Sequence, residues 1–448
     1  MAKVQNNWIK VDTNGFKYSI GDIPLWRNTV ELITNVFDEY RGYDQSRTKP
    51  SNMLVQTNHY RGFLYLSVWD NGNGFDDIAD SYTLFSASKK RNVATVSGRF
   101  NVGEKQLLVL ADSWMIQTKT IEDEKPTRVS FVDNVFSQTS KQSYNHKDAI
   151  SGTSVVAKIK CTPDQYKEVW DKISTIIPPK GLNCAMVHNS EFIKIEDGIN
   201  AMLKSGDSID KAIDSGDASN YSFFNERDLS CGIIHTVEVT LDTVQEKDGL
   251  MKPTQRKTWV EVRGVDSMLV SEDVPQLYEL GIPVQELGNE FPYHLNVMQK
   301  VPLPQSRDVV KSTYLNKLIG RVLEQLALDG KTILEDQDMG ATFLKGALDK
   351  IDNADALKVV VDDVVGEDAV SWTSNPNAIW LAEQDGKNVI KRNTFGADTM
   401  SKLKGVGSLQ SPVDIYRDEL TEISRKEVMG DKIQDIDVRC PNCNHKIM

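Results

Sequence analysis

Three short groups of residues in the first quarter of the chain have the types and spacing to act on a phosphorylated ligand. Glu31, Asn35 and Asp38 stand at i, i+4 and i+7 of a stretch whose apolar positions Val30, Leu32, Ile33, Val36 and Phe37 recur at helical spacing. An acid, an amide and a second acid therefore share one helix face. Such a line is either a solvated polar face or, if covered, a row of groups that must find partners. Asp70-Asn71-Gly72-Asn73-Gly74 follows the apolar run 63–69. Glycines at alternate positions allow positive φ and close backbone approach to a ligand, although a surface turn would use them too. The third group, Gly98-Arg99-Phe100-Asn101-Val102-Gly103, lies after the basic, hydroxyl-rich segment 85–91 and before another apolar helical run. Backbone N–H groups at such a helix start suit a polyphosphate. A Walker-type P-loop is rejected, because Glu104-Lys105-Gln106 puts the lysine one place late with no metal-binding hydroxyl after it.

These groups need elements to hold them. A helix is expected from about Ile23 to Tyr40, a buried strand over 63–69, and a strand opening at Ser151-Gly152-Thr153-Ser154-Val155-Val156. Residues 1–20 read as a lead-in with some strand character, and 51–61 as a polar stretch. A helix is expected over 162–178, with Thr162 as N-cap and Pro178-Pro179 as its stop. Beyond a Gly, Ser, Asp and Asn-rich segment at 196–229 come strand-like runs at 233–241 and 258–265, a helical patch near 274–280, and a helix from 308 to about 328. Residues 348–368 read as a solvated, helix-rich face, and 414–428 as a charged amphipathic helix.

Composition sets the class. At 448 residues, 40% hydrophobic and 26% charged, the chain should form two or three domains with ample cores. No apolar run approaches the roughly 18 residues of a membrane span, and no signal-peptide core opens the sequence. Five cysteines at irregular spacing argue against a disulfide framework and for a reducing, cytoplasmic location. A net charge of −12 disfavours a protein that coats nucleic acid with its whole surface, though not a local basic groove built from Lys89, Lys90, Arg91 and Lys105. Cys440 and Cys443 in the tail form one zinc knuckle without its partner pair. Either Zn²⁺ ligands come from elsewhere, or the pair is two free thiols.

In this order and spacing the motifs resemble the ATP-binding domain of the GHKL superfamily, shared by DNA gyrase B subunits, Hsp90 chaperones, sensor histidine kinases and MutL repair proteins. Glu31-x-x-x-Asn35-x-x-Asp38 is similar to that superfamily's N box, Asp70-x-Gly72-x-Gly74 to its first glycine box, Gly98–Gly103 to its second, and Gly152-Thr153 to its late Gly-Thr. Asn101 departs from the pattern, standing where many members have glycine. The resemblance implies an α/β (α+β) fold: a Bergerat-type α/β sandwich over 1–160 with a mixed, mostly antiparallel sheet, a transducer-like α/β domain over 161–335, and a helix-rich C-terminal region over 336–448. It implies that Asp70 accepts from the adenine amino group with help from Thr153, that Asn35 holds Mg²⁺, and that Glu31 deprotonates the attacking water. Asp38 would help to position water or metal. Lys89, Lys90 and Lys105 would reach phosphates, with Gly72, Gly74, Gly98, Val102 and Gly103 shaping the site. Gln299-Lys300 resembles the transducer loop that sends a lysine to the γ-phosphate; a surface lysine at a strand end is the other reading.

Because Glu31 occupies the position of the hydrolytic base, hydrolysis is favoured over kinase chemistry. The stretch 277–318, including Leu277–Val284 and Gln299–Pro302, is also similar, more loosely, to bacteriophage RIIA-type rapid-lysis proteins. The function expected is Mg-dependent ATP binding and slow hydrolysis that drives lid closure and homodimerisation, in a phage-type protein of the host cytoplasm. The alternatives are an ATP sensor without turnover, or a DNA-associated ATPase subunit. DNA or a host protein is the expected further partner.

Overall fold

The computed structural model describes residues 12–434, leaving out 43, 45, 86–88, 99–101, 124, 140–150, 189–220, 225–231, 248–249, 265–273, 288–290, 305–308, 332–333, 335–341 and 392–393. The described residues hold two mixed sheets and eleven α-helices. They fall into two compact units, residues 1–310 and 311–448.

The first unit opens with α1 (Thr13–Ser19), capped by the Asp12 carboxylate, and α2 (Leu25–Arg41), which ends at Gly42 in the left-handed region. The hairpin β1 (Asn52–Tyr60) and β2 (Phe63–Asp70) follows, then two short 3-10 turns, Ile78–Ser81 and Lys89–Asn92. Next come α3 (Gly103–Leu110), β3 (Ala111–Lys119), β4 (Thr127–Val132), β5 (Val135–Thr139) and β6 (Gly152–Lys160). Helix α4 (Pro163–Ser174) starts with a capping box between Thr162 and Gln165. Strands β7 (Asn183–His188) and β8 (Tyr221–Phe224) complete an eight-stranded sheet in the order β5-β4-β3-β6-β2-β1-β7-β8. Its only parallel pair is β1 with β7, so it is mixed and mostly antiparallel among the described pairs. The sheet thus runs past residue 160, where a domain break was expected, because β7 pairs with β1 along six residues.

The second sheet of this unit has the order β12-β11-β13-β10-β9. It is built from the long hairpin β9 (Ile233–Lys247) and β10 (Leu250–Gly264), the tight hairpin β11 (Gln276–Glu279) and β12 (Ile282–Glu286), and β13 (Tyr293–Val297). Two sequence expectations change here. The patch at 274–280 is strand rather than helix: 276–279 are all buried, so periodicity gives no face, and a turn with positive φ at both Leu280 and Gly281 folds the chain back. The lead-in, over the described residues 13–19, is helix rather than strand.

Core packing fixes α2. Trp26, Val30, Ile33, Val36 and Phe37 bury themselves with β1, β2, β6 and α4, and Tyr278 and Ile282 of the second sheet join the same cluster. Ile33 and Phe37 are fully covered, each worth about 1.5–3 kcal/mol of transfer free energy.

The second unit is helical: α5 (Ser312–Leu328), α6 (Thr342–Leu348), α7 (Ala354–Val365), α8 (Pro376–Gln384), α9 (Ala397–Gly405), α10 (Pro412–Ile415) and α11 (Arg417–Gln434). Glu324 of α5 accepts from the backbone N–H groups of Asp352 and Asn353, fixing the entry to α7. The helix expected to belong to a 161–335 domain begins this unit instead, after the break at 310/311. No described helix is long and apolar enough to cross a membrane.

Candidate functional site

The polar line of α2 points away from Ile33 and Phe37; Asp38 is buried, and Glu31 and Asn35 are half-buried. Glu31 lies against the first residue of α3: a Cβ on Gly103 would overlap the Glu31 carboxylate, so only glycine permits this approach. One turn on, the Asn35 amide is engaged at both ends. Its Nδ2 donates to Glu104 Oε2 at 2.7 Å, and its Oδ1 accepts from Lys90 Nζ at 3.1 Å. Asp38, with no exposed surface, accepts from the backbone N–H groups of Ser97 (2.7 Å) and Gly98 (2.9 Å), and Lys90 Nζ stands 3.6 Å from its Oδ2. Three α2 side chains therefore hold the two flanks of the second glycine segment, 97–98 and 103–104. Of the expected roles, Asp38 is seen tying backbone rather than lining open space. Val102 is buried and its carbonyl accepts from Gln106 N–H, while Arg99, Phe100 and Asn101 lie outside the described residues.

Past the C-terminal turn of α2 is a second polar cluster. Asp70 closes β2, opposite Thr153 of β6 in the ladder. Its Oδ1 accepts from Gly72 N–H at 2.8 Å. Burial drives this carboxyl up to about 7, with the Glu39 charge adding to the rise and the Gly72 and Thr153 backbone N–H groups and Arg47 opposing it. The hydroxyls of Thr153 and Thr118 are 3.3 Å apart, and Thr118 Oγ1 accepts from Phe75 N–H. Gly74 has φ +76°, and a Cβ there would meet the Lys119 carbonyl at 2.6 Å, which explains the glycine. Arg47 staples this loop to α2, donating to Glu39 (2.6 Å), the Gly74 carbonyl (2.6 Å) and Asp76 (2.6 Å).

The candidate lysines separate. Lys90 joins the α2 line. Lys89 is exposed and pairs with Asp44. Lys105 is buried and pairs with Glu104 at 2.6 Å. Lys300 has no exposed surface, and its ammonium donates to the carbonyls of Lys90 (2.6 Å) and Arg91 (3.3 Å). It is not the surface lysine of the simpler reading. Gln299 beside it is buried, with its Oε1 unpartnered. Cys440 and Cys443 lie outside the described residues. Among the described residues no group of three or more His, Cys, Asp or Glu is placed to hold a metal ion.

Sequence reasoning missed the side chains that fasten α2 to the second sheet. Arg27 donates to the carbonyls of Pro283 (3.3 Å) and Val284 (2.8 Å), and Arg41 to that of Leu280 (2.5 Å). Burial lowers the Arg41 pKa to about 10, against the pull of Asp38, Glu279 and Glu261. Glu279 accepts from Val301 N–H at 3.0 Å, directly after Lys300. A polar circuit thus runs from α2 through the β11–β12 turn to Lys300, then to the 89–92 turn and back to α2. The signal that could have found it is the pair of arginines flanking the acid-amide-acid line at the two ends of one helix. No family model matches the chain, and no curated protein matches it.

Proposed function

We propose that this protein binds ATP with Mg²⁺ along α2 and hydrolyses it slowly, with Glu31 as the general base, within a GHKL-type ATP domain of Bergerat architecture followed by a transducer-like sheet. The observation that carries the reading is the packing of Glu31, Asn35 and Asp38, on one helix face, against the flanks 97–98 and 103–104 of the second glycine segment. Asp70 and the first glycine box lie at the C-terminal end of the same helix.

The donor set fits the ligand. Asp70 is a buried acceptor for an amino group of a base. Asn35 Oδ1 already carries a cation, the Lys90 ammonium, where the resemblance puts the metal. Magnesium prefers oxygen ligands and keeps several waters, so Asn35 Oδ1 would be the protein's ligand to it, with nucleotide and water supplying the others. Bound there, it supplies charge neutralisation of the phosphates. Lys90 then moves from Asn35 to the phosphate oxygens. Glu31 takes a proton from water as the water oxygen bonds to the terminal phosphorus, and the bond to the bridging oxygen breaks with its electron pair on ADP. Lys300 holds the 89–92 turn, so movement of that turn on nucleotide binding is transmitted to the second sheet.

The test is Mg²⁺-dependent phosphate release, wild type beside Glu31→Ala, with nucleotide binding measured in both. Turnover in the wild type, lost about 10²–10⁴-fold in the variant with binding intact, is the expected result. Equal, negligible release with intact binding replaces hydrolysis by ATP sensing. That second reading is favoured by one observation, the engagement of the Asn35 amide at both ends.

A further inference from the structure

Asn28 is fully buried, and neither its amide nitrogen nor its amide oxygen has a hydrogen-bond partner. It is the one residue of α2 in that condition at both amide atoms. At about 100° per residue, Asn28, Glu31, Asn35 and Asp38 fall within about 80° of arc, on the face opposite Ile33 and Phe37. Asn28 stands about 4.5 Å along the axis from Glu31, on the side away from Asn35. The order along the helix is thus the base pocket near Glu39 and Gly72, then Asp38, Asn35, Glu31 and last Asn28. A buried amide without partners is a costly thing to keep in a helix interior, where leucine has the same branched shape and a better propensity.

We propose that Asn28 is a positioning residue for hydrolysis: its amide completes the polar line beyond the terminal phosphate and orients the Glu31 carboxylate and the attacking water. The inference rests on the ATP reading above. An amide suits the place because it offers two donors and an acceptor, so it can donate to the carboxylate and hold the water without carrying a charge of its own.

The experiment compares wild type, Asn28→Leu and Glu31→Ala in steady-state ATP hydrolysis, equilibrium binding of a non-hydrolysable ATP analogue, and thermal unfolding. Leucine is close to isosteric and removes only the polar atoms. The expected result is a melting temperature no lower than that of the wild type, analogue affinity within about twofold, and kcat reduced at least tenfold. An amide with no part in hydrolysis predicts unchanged kcat at the same or raised stability, and that outcome overturns the inference alone. Parallel loss of affinity and kcat overturns it too. If Asn28→Leu does not fold, Asn28→Ala is judged by the same kcat-against-affinity criterion. A wild type that neither binds nor turns over ATP overturns the ATP reading, and this inference with it.

Discussion

At the scale of single residues, Asp70 has the most distinctive chemistry. Its carboxyl is pushed to about 7 by burial, while an unfolded chain would lose the proton near pH 4. Between those values the folded protein holds a proton that the unfolded one has released, so this group's contribution to stability falls as pH rises through that window. A base amino group that donates to Asp70 is held more strongly by the carboxylate than by the neutral carboxyl, so binding would favour loss of the proton. The affinity for an ATP analogue is therefore expected to weaken as pH falls from 8 to 6, by up to about tenfold per unit below 7. Calorimetric titration at several pH values checks this, with Asp70→Asn expected to bind weakly and without that slope. An equal slope in both proteins would show that another group sets it. The residues of the candidate site were legible in the sequence because each motif is local: Glu31, Asn35 and Asp38 by helical spacing, Gly72 and Gly74 by alternation. Their partners were not. Glu104 meets Asn35 across 69 residues and Arg41 meets Leu280 across 239, and no spacing rule reaches that far.

At the scale of elements, α2 brings the candidate side chains together and meets both sheets of the first unit. Its apolar side reads plainly from Val30, Ile33, Val36 and Phe37, and α4 announces itself through the Thr162 cap. Strand β1 stayed hidden because Gln56, Thr57 and Asn58 make its centre look like loop, although Gln56 and Thr57 are buried. Strand β11 stayed hidden for the opposite reason, a run buried on both faces. Beyond core packing, the arginine at each end ties the helix to the β11–β12 hairpin. Arg41→Met is expected to cost about 3 kcal/mol, since it withdraws a buried cation from the field of Asp38, Glu279 and Glu261. Urea unfolding measures this. The same variant should lose ATP turnover more than affinity, because Asp70 stays in place at the end of β2 while the line of Glu31 shifts. A variant with wild-type stability would mean that the guanidinium is dispensable for docking.

At the scale of the whole molecule, each of the two units carries its own buried core. We extend the ATP reading to a second copy: ATP is expected to bring two first units together and hydrolysis to release them. Sedimentation at tens of micromolar protein should show the mass double with a non-hydrolysable ATP analogue and Mg²⁺, and an unchanged monomer removes the dimer while leaving the ATP reading in place. The fastening of α2 also has a consequence for how the protein is made. The carbonyls that receive Arg27 and Arg41 come 239–257 residues after them in the chain. At roughly 5–20 residues per second, a ribosome needs on the order of ten to fifty seconds to reach them. Through that interval both arginines have left the ribosome without the carbonyls that receive them, so the helix that carries the candidate site is among the first parts synthesised and among the last to be locked. A nascent chain halted before Gln276 should contain every glycine-box residue and still bind nucleotide poorly, because the β11–β12 latch has yet to be translated.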